Sequence, residues 1–279
     1  MAEAAGQPEA LNAYFEKTTN VARNYVWVLK AAKDRDVPPI AAARILARKI
    51  VALRCRSKPE WFDAWLARYE GGQPPEGVRR QGLEIVIGSA VGLPERIRSI
   101  QHVEACIAEH LWYFMVQEET EEEAIRRLEE PSFEVTEPGG DGLVVHALDQ
   151  GLLFRLWEIK KHTGRSRLSR TIGVAYTQLD KDAMRYLTKY SLRGQYLRDE
   201  ELQRLYAQMP DLWLEGSEQA APGVAVGTSV SAVTRRCFTS FPKRFPQFLV
   251  SRRLLGHVGA VIDFAAFALQ VRDEMWKGL

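Results

Sequence analysis

Cysteine is scarce in this 279-residue chain, and Cys55, Cys106 and Cys237 are odd in number and far apart. That pattern makes neither a disulfide framework nor a zinc site and fits a reducing compartment. The histidines (His102, His110, His146, His162 and His257) also lack zinc-ligand spacing. No run of about 18 apolar residues occurs, so no membrane span is expected. The opening MAEAAGQPEALNAYFEK has neither a basic nor an apolar leader segment, so a cytoplasmic protein is expected rather than a secreted one. A G-x-x-x-x-G-K-[ST] phosphate loop is missing, which argues against ATP hydrolysis by this chain. No G-x-S-x-G nucleophile elbow is present. The formal net charge is only +2, so total charge does not point to a polyanionic ligand.

What is there is a globular composition, with 46% hydrophobic and 27% charged residues, enough to bury a sizeable core. Residues 9–34 and 38–56 read as helices, the second opened by Pro38 and Pro39 and carrying Ile45, Leu46, Ile50 and Leu53 at helical spacing. GGQPPEG at 71–77 breaks any helix and is the linker candidate. It divides a helical N-terminal region, 1–77, from a second region, 78–279. Residues 94–130 read as helix, with a stripe of Ile97, Ile100, Val103, Ile107, Leu111 and Phe114; the acidic stretch QEETEEEAIRRLEE that ends it reads as a solvated helix face. SFEVTEP alternates as a strand does, and GGDGLVVHALDQGLLFRLWEIKKH reads as two strands around a turn. Helix returns over 171–190 and 196–208. EGSEQAAPGVAVGTSVSA reads as a loop or weak strand, and a last helix is expected from about Ser251 to Trp276.

The hairpin concentrates the chemistry. With a turn centred on Asp149 and Gln150, paired residues sum to 299, and Asp141 falls opposite Glu158, within cross-strand reach. Lys160, two residues on, projects from the same face. A three-residue turn closed by Gly151 is equally good turn chemistry and would instead place Ile159 opposite Asp141. In the first register two carboxylates and one ammonium meet where the rest of the face (Leu143, Val145, Phe154, Leu156) belongs to the core. Carboxylates that close repel each other and raise each other's pKa. A divalent cation with a taste for hard oxygen ligands, Mg²⁺ or Mn²⁺, relieves this.

Asp141 after a Gly-Gly turn, a strand, then a second strand ending in Glu158-Ile159-Lys160, with helices on either side, resembles the PD-(D/E)XK nuclease superfamily over roughly residues 100–195. The one departure is Gly140 in the place of the motif's proline. The resemblance implies that Asp141 and Glu158 are metal ligands and that Lys160 is the catalytic lysine. It also implies a supporting glutamate on the preceding helix, Glu109 with Glu104 as the less apt choice, and a glutamine on the following helix, Gln178. A restriction-endonuclease-like core is implied as well: an α/β or α+β fold with a small mixed sheet flanked by helices.

Charge is distributed to match. Lys160, Lys161, Arg165, Arg167, Arg170, Lys181, Arg185, Lys189, Arg193 and Arg198 crowd into residues 158–198 against few acids. Lys161, Arg165, Arg167, Arg170, Lys181 and Arg185 are the expected phosphate contacts. A second basic stretch, with Arg235, Arg236, Lys243, Arg244, Arg252 and Arg253, is interleaved with Phe238, Phe241 and Phe245. These rings read as packing residues before they read as a platform for single-stranded bases. The reading is therefore a Mg²⁺- or Mn²⁺-dependent hydrolase of phosphodiesters, with DNA preferred by the resemblance alone. The layout, helices first and nuclease core later, is similar to nuclease subunits of Hachiman-type phage defence, which work with a helicase. A helicase or ATPase partner, or a homo-oligomer, is the assembly so implied. The alternative is a nuclease-like protein that no longer cuts and serves as a nucleic-acid-binding or assembly subunit.

Overall fold

The computed structural model describes residues 10–34, 36, 38–119, 124–133, 141–149, 151–249 and 253–279. It is a mixed α/β protein: a seven-stranded sheet in the order β1-β2-β9-β8-β7-β6-β5, covered by helices on both faces. After a short 3₁₀ turn, β1 (Phe15–Val21) and β2 (Tyr25–Ala32) form an antiparallel hairpin. Helices α1 (Ile40–Arg54), α2 (Pro59–Tyr69) and α3 (Gly77–Val91) follow, then a two-residue ribbon of β3 (Gly92–Leu93) and β4 (Arg96–Ile97), and α4 (Ile100–Gln117). Next come β5 (Ala124–Leu128), β6 (Gly142–Leu148), β7 (Gly151–His162), α5 (Leu168–Gly194) and α6 (Glu200–Leu214). The chain closes with β8 (Ala220–Ser229), α7 (Phe241–Arg244), β9 (Leu254–Val261) and α8 (Phe264–Trp276).

The mixed sheet flanked by helices is the architecture expected, but the sheet is wider, because four stretches read otherwise are strands. Residues 15–32 are a hairpin and not part of a helix; their β-branched Thr18, Thr19, Val21, Val26 and Val28 favour the extended chain. The region before residue 77 is thus a hairpin followed by helices. Residues 220–229 are not a loop but an interior strand, parallel to both neighbours and almost wholly buried. A strand buried on both faces shows no alternation. Its small residues are steric necessities: a Cβ on Gly223 would meet the Trp157 ring at 2.4 Å, and one on Gly227 the Phe264 ring at 2.5 Å. Residues 254–261 are likewise a strand, so the last helix begins at Phe264 and not near Ser251. A short run such as LLGHVGAV cannot be told from a buried helix segment by periodicity alone.

The helix expected over 94–130 is shorter, ending at Gln117, and residues 124–128 of that stretch are not helix but the edge strand β5, antiparallel to β6. Ser99 caps α4, its Oγ accepting from the His102 amide at 3.3 Å, and Ile97 and Ile100 of the supposed stripe are exposed. Beyond the helix the acidic run is not simply a solvated face. Glu118 accepts the Leu11 and Asn12 amides at 2.9 and 2.7 Å, and Glu119 pairs with buried Lys30 at 2.6 Å. These acids clamp the N-terminal hairpin to α4. Residues 120–123, the Gly139–Gly140 turn and most of SFEVTEP lie outside the described residues.

The sheet separates two cores. One holds Trp157 and Ile159 with α1, α2, α3, α4 and α8; the other holds Phe154, Leu156 and Val224 with α5, α6 and α7. Trp65, before the 71–77 stretch, and Ile87, Ile107 and Phe267, after it, lie in the same buried cluster.

Candidate active site

The β6–β7 hairpin takes the register whose partners sum to 299: Gly142 faces Trp157, Leu143 faces Leu156, and Leu148 faces Gly151. Gly151, at φ 118°, accepts a backbone conformation that other residues resist. Asp141 stands just outside the paired residues. Its Oδ2 accepts the Ile159 amide at 2.7 Å, which ties it to the strand bearing Glu158 and Lys160. The Lys160 ammonium reaches Glu158 Oε1 at 2.5 Å and Asp141 Oδ2 at 4.0 Å. Sequence reasoning placed these three side chains together, and they are together.

Glu109 joins them from α4. It is buried, and the charges that act on it include those of Asp141, Lys160 and Glu158. Its arrival depends on Gly142: a Cβ there would lie 2.3 Å from the Trp112 ring, so only glycine lets α4 lie this close to the start of β6. Glu104, the less apt choice, points elsewhere and pairs with Lys161 and with Thr163 Oγ1, 3.0 Å away. Gln178 does not reach the carboxylates. Its Nε2 donates to Tyr186 Oη at 3.3 Å, and Tyr186 is the neighbour whose phenol feels Glu158 and Lys160. Tyr186 was not singled out from sequence. The helical spacing Gln178–Tyr186 was the only signal available, and it says nothing about a hydroxyl turned toward the sheet.

Electrostatically the cluster is under strain. Glu158 is fully buried, and neither of its oxygens accepts a hydrogen bond of good geometry, the close approach of Lys160 notwithstanding. Burial pushes its carboxyl up to about 8; Asp141 adds to the rise and Lys160 opposes it. Burial also raises Asp141, against Lys160 and the Ile159 amide. Burial drives Glu109 well above the ordinary carboxylate range; Asp141 and Glu158 add to that, and Lys160 and Arg54 oppose it. Burial lowers the Lys160 ammonium, but Asp141 and Glu158 outweigh it and its pKa is raised. Three acids thus face one ammonium in a site open to solvent through Asp141 and Lys160, whose side chains are 19% and 26% exposed.

The Glu158 oxygen that Lys160 does not reach, Oε2, beside the Asp141 carboxyl is the feature a hard cation would satisfy. The donor set of carboxylates, with no thiolate or imidazole beside it, fits Mg²⁺ or Mn²⁺. Among the described residues, no group of three or more His, Cys, Asp or Glu side chains is set to enclose a metal ion as it stands.

Around the site, Arg165, Arg167 and Arg170 are exposed on the β7–α5 loop and the first turn of α5, and Lys181 and Arg185 are exposed along that helix. Arg185 lies over the Tyr186 ring at 5.3 Å. Lys161 differs from the others, being ion-paired to buried Glu104. His162 is buried, with Nδ1 2.7 Å from Thr171 Oγ1. In the second basic stretch Phe238, Phe241 and Phe245 are wholly buried and packed against one another in tilted and edge-to-face contacts, so they offer no face to a base. Arg252 lies outside the described residues.

No protein-family model matches the chain, and no curated protein is significantly similar to it. Among the described residues, no helix is long and apolar enough to cross a membrane.

Proposed function

We propose that this chain is a divalent-metal-dependent nuclease of the PD-(D/E)XK type that hydrolyses phosphodiester bonds, DNA being the substrate the resemblance favours. The observation that carries the reading is Glu158: a fully buried carboxyl whose Oε1 meets the Lys160 ammonium at 2.5 Å and whose Oε2 has no hydrogen-bond partner, set beside Asp141 at the solvent-open end of a hairpin. Burying such a group is costly unless a bound charge compensates it.

Asp141 and Glu158 would hold the metal ion, with Glu109 behind them. When bound, a Mg²⁺ or Mn²⁺ ion supplies Lewis acidity toward a phosphoryl oxygen and makes a nearby water a better nucleophile. Lys160, released from Glu158, donates to the phosphoryl oxygens as negative charge develops. The Ile159 amide holds the Asp141 carboxyl in place, and Tyr186 with Gln178 closes the α5 side. Arg165, Arg167 and Arg170 seat the sugar–phosphate backbone. A cytoplasmic role in phage defence beside a helicase partner belongs to the same reading and rests on the resemblance.

The test is cleavage of plasmid DNA in Mg²⁺ or Mn²⁺ against EDTA, with Lys160→Ala and Glu158→Ala beside the wild type. Metal-dependent cutting lost in both variants is the expected result. Metal-indifferent binding with no cutting, alone or with a helicase partner present, overturns the reading in favour of a nuclease-like binding subunit.

A further inference from the structure

We propose that Glu104, on α4, is a positioning residue for the phosphate-contacting loop that follows β7. Its Oε2 is shared by two donors from that end of the strand: the Lys161 ammonium, with which it forms an ion pair, and Thr163 Oγ1, which donates at 3.0 Å. The two donors also meet each other, Lys161 Nζ lying 3.5 Å from Thr163 Oγ1. Glu104 is buried, and a buried carboxylate is costly unless it is paired and hydrogen-bonded. The trio is therefore a fixed contact and not a solvated one. Thr163 is the first residue of the loop, and Arg165 follows it by two residues, at most about 7 Å of chain.

The loop needs such an anchor. Thr163, Gly164, Arg165, Ser166 and Arg167 are all exposed and form neither helix nor strand. A Cβ on Gly164 would meet nothing within 4 Å, so packing does not hold the loop there. Successive side chains of a strand point to opposite faces, and the residue after Lys161 is tied on the other face. His162 Nδ1 lies 2.7 Å from Thr171 Oγ1 on α5, and the His162 carbonyl accepts from Thr228 Oγ1 of β8 at 3.0 Å. The end of β7 is thus held from both faces, by α4 through Glu104 and by α5 through Thr171, and Arg165 and Arg167 leave it from a fixed point. A side chain that starts from a fixed point loses less freedom on meeting a phosphate. By its charge alone a carboxylate opposes a polyanion, so the contribution of Glu104 through the loop has the opposite sign to its electrostatic one, and the two are separable.

The proposal rests on the reading of the β7–α5 loop as a phosphate contact, and its test measures binding and not cutting. The experiment compares the full-length wild type with Glu104→Ala and Glu104→Gln, each with Arg165, Arg167 and Arg170 intact or replaced by alanine, for affinity toward a short DNA duplex in Ca²⁺ at one fixed salt concentration. Glu104→Ala should weaken binding at least fivefold although it removes a negative charge. In the background without the three arginines the same change should cost less than twofold, since residues that act through one another do not add their effects. Glu104→Gln keeps an oxygen for the two donors and should recover at least half of the loss on a logarithmic scale. Should Glu104→Ala fail to fold, Thr163→Val, which removes one donor at the surface, should weaken binding about threefold with the arginines present and leave it unchanged without them. Unchanged or tighter binding in Glu104→Ala, or a loss of equal size in both backgrounds, overturns the proposal. A wild type that binds the duplex but never cuts it in Mg²⁺ sinks the nuclease reading alone. A wild type that binds no duplex leaves the loop no phosphate to seat and overturns the proposal, whatever the cleavage assay gives.

Discussion

The Asp141 carboxylate accepts the Ile159 amide at 2.7 Å, so one site acid is bonded to the backbone between the other two site residues, Glu158 and Lys160. The bond also fixes what the turn alone left open. Glu158 and Lys160, two residues apart on β7, share a face in any register; register 299 sets the start of β6 level with that end of the strand, and the amide of the intervening residue holds Asp141 there.

Lys160 is the only cation shown within ion-pair distance of Glu158 and Asp141 among the described residues. Lys160→Met should abolish cleavage, a loss of about a hundredfold or more, the scale of losing a charge-stabilising donor. It should also lower Tm more at pH 8 than at pH 5, since at low pH the Glu158 carboxyl, pushed up to about 8, is protonated and needs no ammonium. Equal Tm losses at both pH values would show that Lys160 is not what holds charge in the site.

The pH dependence of stability follows from Glu158. Its carboxyl rises from 4.5 to about 8 on burial, so between those values the folded chain holds a proton that the unfolded chain has released. Stability is then fully present below about pH 4.5 and falls as pH rises toward 8. Asp141 and Glu109 shift in the same direction. Thermal unfolding without divalent ions should show Tm falling across this window, with a smaller fall in Glu158→Gln. Added Mg²⁺ or Mn²⁺ should stabilise most at the alkaline end, where its ligands are ionised. A wild-type slope equal to that of Glu158→Gln would contradict the burial argument.

The hairpin was legible because its signals are local: alternation, a turn of two residues, and an acid-x-lysine at a fixed offset. Glu109 was legible as a candidate, but its convergence depends on Trp112 lying over Gly142, a contact between residues that sequence does not join. The central parallel strands were not legible. In β8 and β9 Gly223, Gly227 and Gly256 are required by the rings of Trp157, Phe264 and Phe238 that press on them, and in sequence these small-residue runs look like a loop or a helix face. The tie between Gln178 and Tyr186 was hidden for the same reason: position on a helix is periodic, but a hydrogen bond is not.

Gly142→Ala tests the α4 contact. The added methyl would stand 2.3 Å from the Trp112 ring, so α4 or β6 must move. Overpacking of this kind costs about 1–3 kcal/mol. Because the displacement falls between Glu109 and Asp141, cleavage per folded molecule should drop as well. Denaturant unfolding beside kinetics separates the two effects, and full activity in a destabilised variant would show that the α4 contact does not set the site.

Gln178→Ala should be mild. Its amide donates to Tyr186 Oη and not to a site carboxylate, so about 1 kcal/mol, the worth of a neutral hydrogen bond, is at stake. A loss of cleavage beyond about tenfold would mean that Gln178 leaves Tyr186 to engage substrate directly.

Binding measured against salt sorts the basic residues by their contacts. Each phosphate contact on duplex DNA contributes about 0.9 to the slope of log K against log salt. Arg165, Arg167 and Arg170 are exposed, whereas Lys161 is engaged with buried Glu104. Replacing the three arginines with alanine should flatten the slope by about two to three and raise KM, with kcat at saturation little changed. Lys161→Ala should leave the slope alone and lower Tm, because it strands the Glu104 carboxylate, 4% exposed, without its ammonium. If Lys161→Ala flattens the slope as an arginine does, the Glu104 pair opens on binding, and the phosphate-contacting surface continues inward to the end of β7.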